Sequence, residues 1–202
     1  MPDRDWWATL WPDPTAVLRA MGIEPGMTVI DLCCGDGYFT APLARLVGGR
    51  VHAIDLDAEM LEQARTEVSR QGLSVLGWHR GDARRVDHIV PVAADYLLIA
   101  NTFHGVPDQA GLAGAVARAL KPQGLFGIIN WHPRPREETA VLGRPRGPRT
   151  EMRMPVEAVR TIVEPAGFLL DREIDLPPYH YGLAFRRAAA RASAASPNGK
   201  ES

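Results

Sequence analysis

Residues 29–44 read VIDLCCGDGYFTAPLA, and the reading of this stretch decides the fold. Residues 29–32 are apolar around a single acid, Asp31, which is the pattern of a short strand buried on both faces. Gly35 and Gly37 then supply the backbone freedom of a tight turn, and a helical stretch follows from Tyr38. An acid ending a strand, a glycine-bearing turn and a helix start together make a nucleotide-type site. Two adjacent cysteines, Cys33 and Cys34, sit inside this turn. Sequence neighbours rarely pair, because a disulfide between them is strained. Further Cys or His residues at ligand spacing are lacking, so no metal is expected. The turn calls for their small size rather than for thiol chemistry.

Outward from the turn, strand-length apolar runs alternate with helix-length segments. RVHAIDLD (50–57), SVLGWHRGD (74–82), ADYLLIANTF (94–103) and LFGIINWH (125–132) read as strands, and LLDREIDL (169–176) and YGLAFRR (181–187) follow. AEMLEQARTEVSRQG (58–72) is an amphipathic helix ending at Gly72, DQAGLAGAVARALKPQG (108–124) a helix with Asp108 near its N-cap and a stop at Pro122, and PVEAVRTIVEPAGF (155–168) a third. This alternation is that of a doubly wound α/β sheet, whose ligands bind beyond the carboxyl ends of the strands.

The 202 residues, 46% hydrophobic, suit one compact domain. A formal charge of −1 gives no global pull toward nucleic acid or an anionic membrane, and no apolar run approaches a spanning length. The N-terminus lacks the basic-then-apolar order of a secretory signal, and the sparse cysteines suit a reducing, cytoplasmic setting. Residues 187–202 are small and polar, the composition of a disordered tail. Residues 132–150, dense in Pro, Gly and Arg, are long for a plain connector and read as a flap or mobile insertion. Composition leaves the oligomeric state open.

The turn is a poor match to the dinucleotide fingerprint, since Thr40 stands at its third glycine position; this opposes a nicotinamide oxidoreductase. It resembles instead the first motif of class I S-adenosylmethionine-dependent methyltransferases, particularly small-molecule, type 11-like members. Cys33 occupies the first glycine position of that motif, with Gly35 and Gly37 following. The segments HAIDLD, GDAR (81–84), NTFHGVPD (101–108) and LKPQGLFGIINW (120–131) resemble later motifs in the correct order, so the likeness covers residues 28–186. It implies a mostly parallel, seven-stranded Rossmann-like sheet with an antiparallel last strand, and S-adenosyl-L-methionine as cofactor. The implied function is in-line methyl transfer to a small-molecule acceptor. A non-catalytic cofactor-binding module on the same fold is the alternative. An acceptor amine on a nucleobase is disfavoured, because NTFH keeps Asn101 but has no prolines after it.

By the same resemblance, Asp31, Cys33, Gly35, Gly37 and Asn101 are expected to bind the cofactor, Asp31 through the methionyl amino group and the turn amides. Asp55 is expected on the ribose hydroxyls, Leu56 and Met60 flanking adenine, and Asp82 with Ala83 at the adenine edge. His104 and His132, after the fourth and fifth strands, are the candidates to deprotonate or orient a nucleophile. His180, between Tyr179 and Tyr181, lines the cleft or makes a structural turn. Trp6, Trp7 and Trp11 fall on one side of an N-terminal helix, either as core or as a lid formed by residues 1–22 over a cofactor sulfonium. Arg134, Arg136, Arg144, Arg146 and Arg149 form either a solvated face or a fork for an anionic group on the acceptor.

Overall fold

The computed structural model describes residues 4–189. Met1 to Asp3, and the expected tail from residue 190 on, lie outside the described residues; Arg187, where the strand and tail readings overlap, belongs to the last strand. The chain opens with α1 (Arg4–Leu10) and α2 (Pro14–Ala20), then enters β1 (Val29–Leu32) and α3 (Thr40–Val47). It continues through β2 (Val51–Asp55), α4 (Ala58–Arg70), β3 (Gly77–Arg80), α5 (Val86–Ile89), β4 (Ala94–Ala100), α6 (Gln109–Ala119) and β5 (Leu120–Trp131). A short hairpin, β6 (Ala140–Val141) and β7 (Arg144–Pro145), precedes α7 (Val156–Val163), β8 (Phe168–Leu176) and β9 (His180–Arg187).

The main sheet has seven strands in the order β3-β2-β1-β4-β5-β9-β8. The pairs from β3 to β5 are parallel, and β9 runs antiparallel to both its neighbours. This is the mostly parallel sheet with an antiparallel last strand that the motif order implies. Strand order reverses between β1 and β4, so the crevice for a ligand opens there.

Alternate residues of β1 feed two cores, one on each face. Ile30 and Leu32 join Leu112, Val116, Phe126, Val159 and Phe168 beneath α6 and α7. Val29 joins Leu18, Met21, Leu43, Tyr96 and Trp131 beneath α2 and α3. Asp57 and Asp108 cap α4 and α6 through bonds from Glu59 N and Gly111 N, both at 2.8 Å.

The structure departs from the sequence reading in two places. The 108–124 helix stops at Ala119, and Leu120 already belongs to β5, because Ala94 and Leu120 pair across the sheet. Residues 132–150, read from sequence as a flap or mobile insertion, contain the β6–β7 hairpin and are fastened by arginines. The Arg136 guanidinium donates to the carbonyls of Gly147 (3.1 Å) and Pro145 (3.2 Å). Arg153, 6% exposed, donates to Thr139 Oγ1 (2.8 Å) and to the Arg146 carbonyl (3.0 Å). Arginines spent on local carbonyls replace the core that so polar a segment cannot build.

Candidate functional site

The turn after β1 is held by its backbone. Cys33 lies at φ 57° and Gly35 at φ 56°, so the peptide groups of the turn curl over the strand end. Cys34 N bonds the Ile54 carbonyl at 3.0 Å, and Gly35 N donates to Asp55 Oδ2 at 2.8 Å, tying the turn to β2. Gly37, at φ 82°, has no room for a side chain: a Cβ there would lie 2.7 Å from Ala64 Cα on α4. The glycine thus lets turn and helix touch.

Asp31 is 2% exposed and accepts a 2.6 Å bond from Thr40 Oγ1. Burial pushes its carboxyl up to about 7, against the Thr40 bond. Thr40, which breaks the dinucleotide fingerprint, is therefore the partner of the motif acid. The Cys33 thiol is pushed up to about 12 by burial and by the nearby acids, and Cys34 is raised by the same causes. A thiol that stays protonated at neutral pH is a poor nucleophile. The cysteines shape the turn.

Among the described residues, three cavities lie along the carboxyl edge of the sheet. The first is walled by Asp31, Cys33, Gly35, Tyr38, Asn101 and Trp7. The second, about 320 Å³, is walled by Cys33, Asp55, Leu56, Asp82, Ala83 and Thr102. The third, about 340 Å³, is walled by Trp6, Trp7, Asn101, His104, Trp131 and Arg146. Cys33 and Thr102 belong to both the first and second, while Trp7 and Asn101 belong to both the first and third.

Most of the expected cofactor residues converge on the first two. In the second, Asp55 bonds Gly35 N and Asp57 N through different oxygens, and each oxygen keeps a lone pair. Asp82 caps a short 3₁₀ turn and pairs with Arg84, whose hydrogen bonds hold the carboxyl below its usual range. Asn101, at φ 59°, has a buried Oδ1 with no partner. Met60 is buried on α4, outside the walls of these cavities.

The histidines separate. His104 lines the third cavity, and burial lowers its pKa against a contact with Asn130 that favours the charged form. His132 stays out of that wall; its Nε2 faces Asp175 Oδ1 at 3.4 Å, and its ring packs 5.5 Å from Tyr181. His180 is fully buried, 4.1 Å from the Trp131 ring and 4.5 Å from Trp11, with neither nitrogen hydrogen-bonded. Burial drives its pKa well down, so it packs as a neutral aromatic.

Core and cover are not alternatives for the tryptophans. Trp6, Trp7 and Trp11 are all buried, yet Trp7 also walls the first and third cavities. The Tyr38 hydroxyl lies 2.7 Å from the Trp11 carbonyl and 3.1 Å from that of Trp7, and Trp11 Nε1 donates to the Pro177 carbonyl at 3.1 Å.

Trp131, Thr102, Arg153 and the role of Thr40 were missed from sequence. Trp131 ends a strand in INWHP, the one local sign that it reaches the ligand edge. Among the described residues no helix is long and apolar enough to cross a membrane, and no group of His, Cys, Asp and Glu could hold a metal ion.

Residues 29–124 match a family model described as a methyltransferase domain. A demethylmenaquinone methyltransferase of Geobacillus stearothermophilus is 30% identical over 111 residues, 54% of this chain and 47% of that protein. A sterol 24-C-methyltransferase of Aspergillus fumigatus is 28% identical over 178 residues, 81% of this chain and 47% of that protein. The chain spans less than half the length of these curated relatives. The crystal structure of a SAM-dependent methyltransferase from Aquifex aeolicus aligns with TM-score 0.74 at 26% identity, over 93% of this chain and 100% of that one.

Proposed function

This chain carries a class I S-adenosylmethionine-dependent methyltransferase domain, and from that premise we propose that it methylates a small-molecule acceptor held in the third cavity. The observation that carries this reading is the row of cavities itself. Two of them share the motif turn, and the third opens onto the first at Trp7 and Asn101.

The residues fit the cofactor. The curled turn at Cys33 and Gly35, the free lone pairs of Asp55 and the unpartnered Asn101 Oδ1 are the acceptors and backbone groups that a nucleoside carrying an amino acid requires. Asp55 would hold the ribose, Leu56 and Ala83 would flank the adenine, and Asp31 and Asn101 would serve the methionine end. S-adenosylmethionine supplies a methyl group on a cationic sulfonium. The aromatic face of Trp7 suits a cation at the junction of the first and third cavities.

His104 is the group positioned to take a proton from the acceptor. Because burial lowers its pKa below the usual 6.5, the imidazole stays neutral and basic to lower pH than an exposed histidine. The residue 132–150 hairpin and the N-terminal tryptophans wall the third cavity, where a bound acceptor would be held in place for transfer.

The test is direct. Protein incubated with S-adenosylmethionine and a panel of small acceptors should release S-adenosylhomocysteine, with a rate whose acid limb lies below pH 6.5. His104→Gln should lower turnover by roughly 10²–10⁴-fold if the imidazole is the base. Tight binding of both nucleosides with no turnover across the panel would favour a non-catalytic module; no binding would sink the reading.

A further inference from the structure

The third cavity carries a more specific chemistry than its position requires. Three of its walls are the indoles of Trp6, Trp7 and Trp131, with ring centroids 4.1 Å apart for Trp6 and Trp7 and 6.0 Å for Trp6 and Trp131. Its charged wall residues are Arg136 and Arg146, and no acid lines it among the described residues. Buried Arg153 stands directly behind, its guanidinium 5.0 Å from the centre of the Trp131 ring.

The three arginines differ in what they already hold. Arg136 donates to the hairpin's carbonyls, and Arg153 donates to them and to Thr139 through Nε and Nη2 while its Nη1 is buried without a partner. Among the described residues the Arg146 side chain makes no hydrogen bond; it sits 5.8 Å over the Trp6 ring, and its Nε is buried without a partner. Trp6 Nε1 is also buried and unpartnered. None of the three arginines is in an ion pair among the described residues. Glu137, whose field reaches Arg153, is exposed. Donors left open beside uncompensated positive charge call for a group that only accepts hydrogen bonds. Indole faces call for a flat ring.

We infer that the third cavity binds a small aromatic carboxylate, its ring against the tryptophans, its carboxylate on Arg146 and its nucleophilic hydroxyl or amine toward Asn101 and His104. This rests on the methyl-transfer reading and names the substrate class for it. In the transfer, the bond from sulfur to methyl carbon breaks as the acceptor's oxygen or nitrogen bonds that carbon. The sulfonium becomes a neutral thioether, and the acceptor's proton leaves to His104 and then to water.

Binding gives a readout independent of turnover. 4-Hydroxybenzoate, its neutral amide and 4-hydroxycyclohexanecarboxylate are titrated calorimetrically onto the protein, with and without saturating S-adenosylhomocysteine. The benzoate should bind about tenfold or more tighter than the amide, a preference worth one charge-assisted bond. It should also bind tighter than the alicyclic acid. Arg146→Gln should erase the preference for the acid while leaving S-adenosylhomocysteine affinity unchanged, and Arg146→Lys should keep part of it. Equal binding of acid and amide, an alicyclic acid as tight as the aromatic one, no binding of the benzoate, or a preference that survives Arg146→Gln in a variant with unaltered melting would each overturn the inference. Failure of S-adenosylhomocysteine to bind while the benzoate binds would instead sink the methyl-transfer reading and leave the anionic aromatic site standing.

Discussion

The two ends of the cavity row are built differently. The end proposed for the cofactor is made of backbone: a turn at positive φ, a glycine touching α4, and an acid whose oxygens are shared with turn amides. The end proposed for the acceptor is made of side chains from the N-terminus, β5 and the hairpin, brought together from remote parts of the chain. Backbone geometry demands particular residues at fixed spacing. Convergent side chains demand only the right chemistry, from wherever the fold delivers it. The first kind of site suits a ligand that never changes, and the second one that does.

The comparison breaks most visibly at Gly37. Gly37→Ala puts a Cβ within 2.8 Å of Ala64 Cα and Cβ at a backbone angle alanine avoids. It should cost about 3–5 kcal/mol of stability, measured by urea unfolding, together with most cofactor affinity.

Asp31 sharpens the comparison through pH. Its carboxyl ionises near 3.8 in the unfolded chain and near 7 when folded, so its ionisation favours unfolding increasingly as pH rises between those values. Asp31→Asn should therefore melt higher than the wild type at pH 8, by up to about 2–4 kcal/mol, and lose that gain near pH 4. Cofactor affinity should rise through pH 7 in the wild type, as the carboxylate forms to meet the ligand's amino group, and be weak and flat in the variant. A pH-independent difference in melting would show that the acid is not buried as described.

Asp55→Ala should weaken S-adenosylmethionine binding by about 1.5–3 kcal/mol without unfolding the domain, read by calorimetry and melting. Gly147→Ala is the counterpart on the acceptor side. Its Cβ would lie 2.7 Å from the Trp131 ring at φ 84°, pushing the hairpin off the indole. The expected cost is about 1–2 kcal/mol, with a raised acceptor KM and unchanged cofactor affinity. If cofactor affinity falls equally, the two ends are not separable. The smallest effect belongs to Tyr38→Phe, which removes the hydroxyl linking the motif turn to the carbonyls of Trp7 and Trp11. About 1 kcal/mol is at stake, and amide exchange in residues 6–11 should quicken while the rest of the domain is unaffected.

Much of the cofactor end was legible because its determinants are local. Residues 29–44 announce strand, turn and helix within one window, Asp55 ends a strand that periodicity finds, and Asp82 follows the next strand by two residues. Leu120 was assigned to a helix because α6 and β5 abut without a connector, and helix and strand periods look alike over a few apolar residues. The arginines of 132–150 read either as a solvated face or as a fork for an anion, because sequence does not show that Arg136, and Arg153 from beyond the segment, bond the hairpin's own carbonyls.

The sequence by itself determined the alternating architecture, the glycine turn and the acids at the strand ends, since each follows from a period or from a residue's own backbone limits. Only the tertiary structure decided that His104 rather than His132 faces the third cavity, that Thr40 holds Asp31, and that Trp6, Trp131 and Arg146 share a wall. Those facts depend on which face of the sheet each segment packs against, and no window of sequence contains both partners of such a contact.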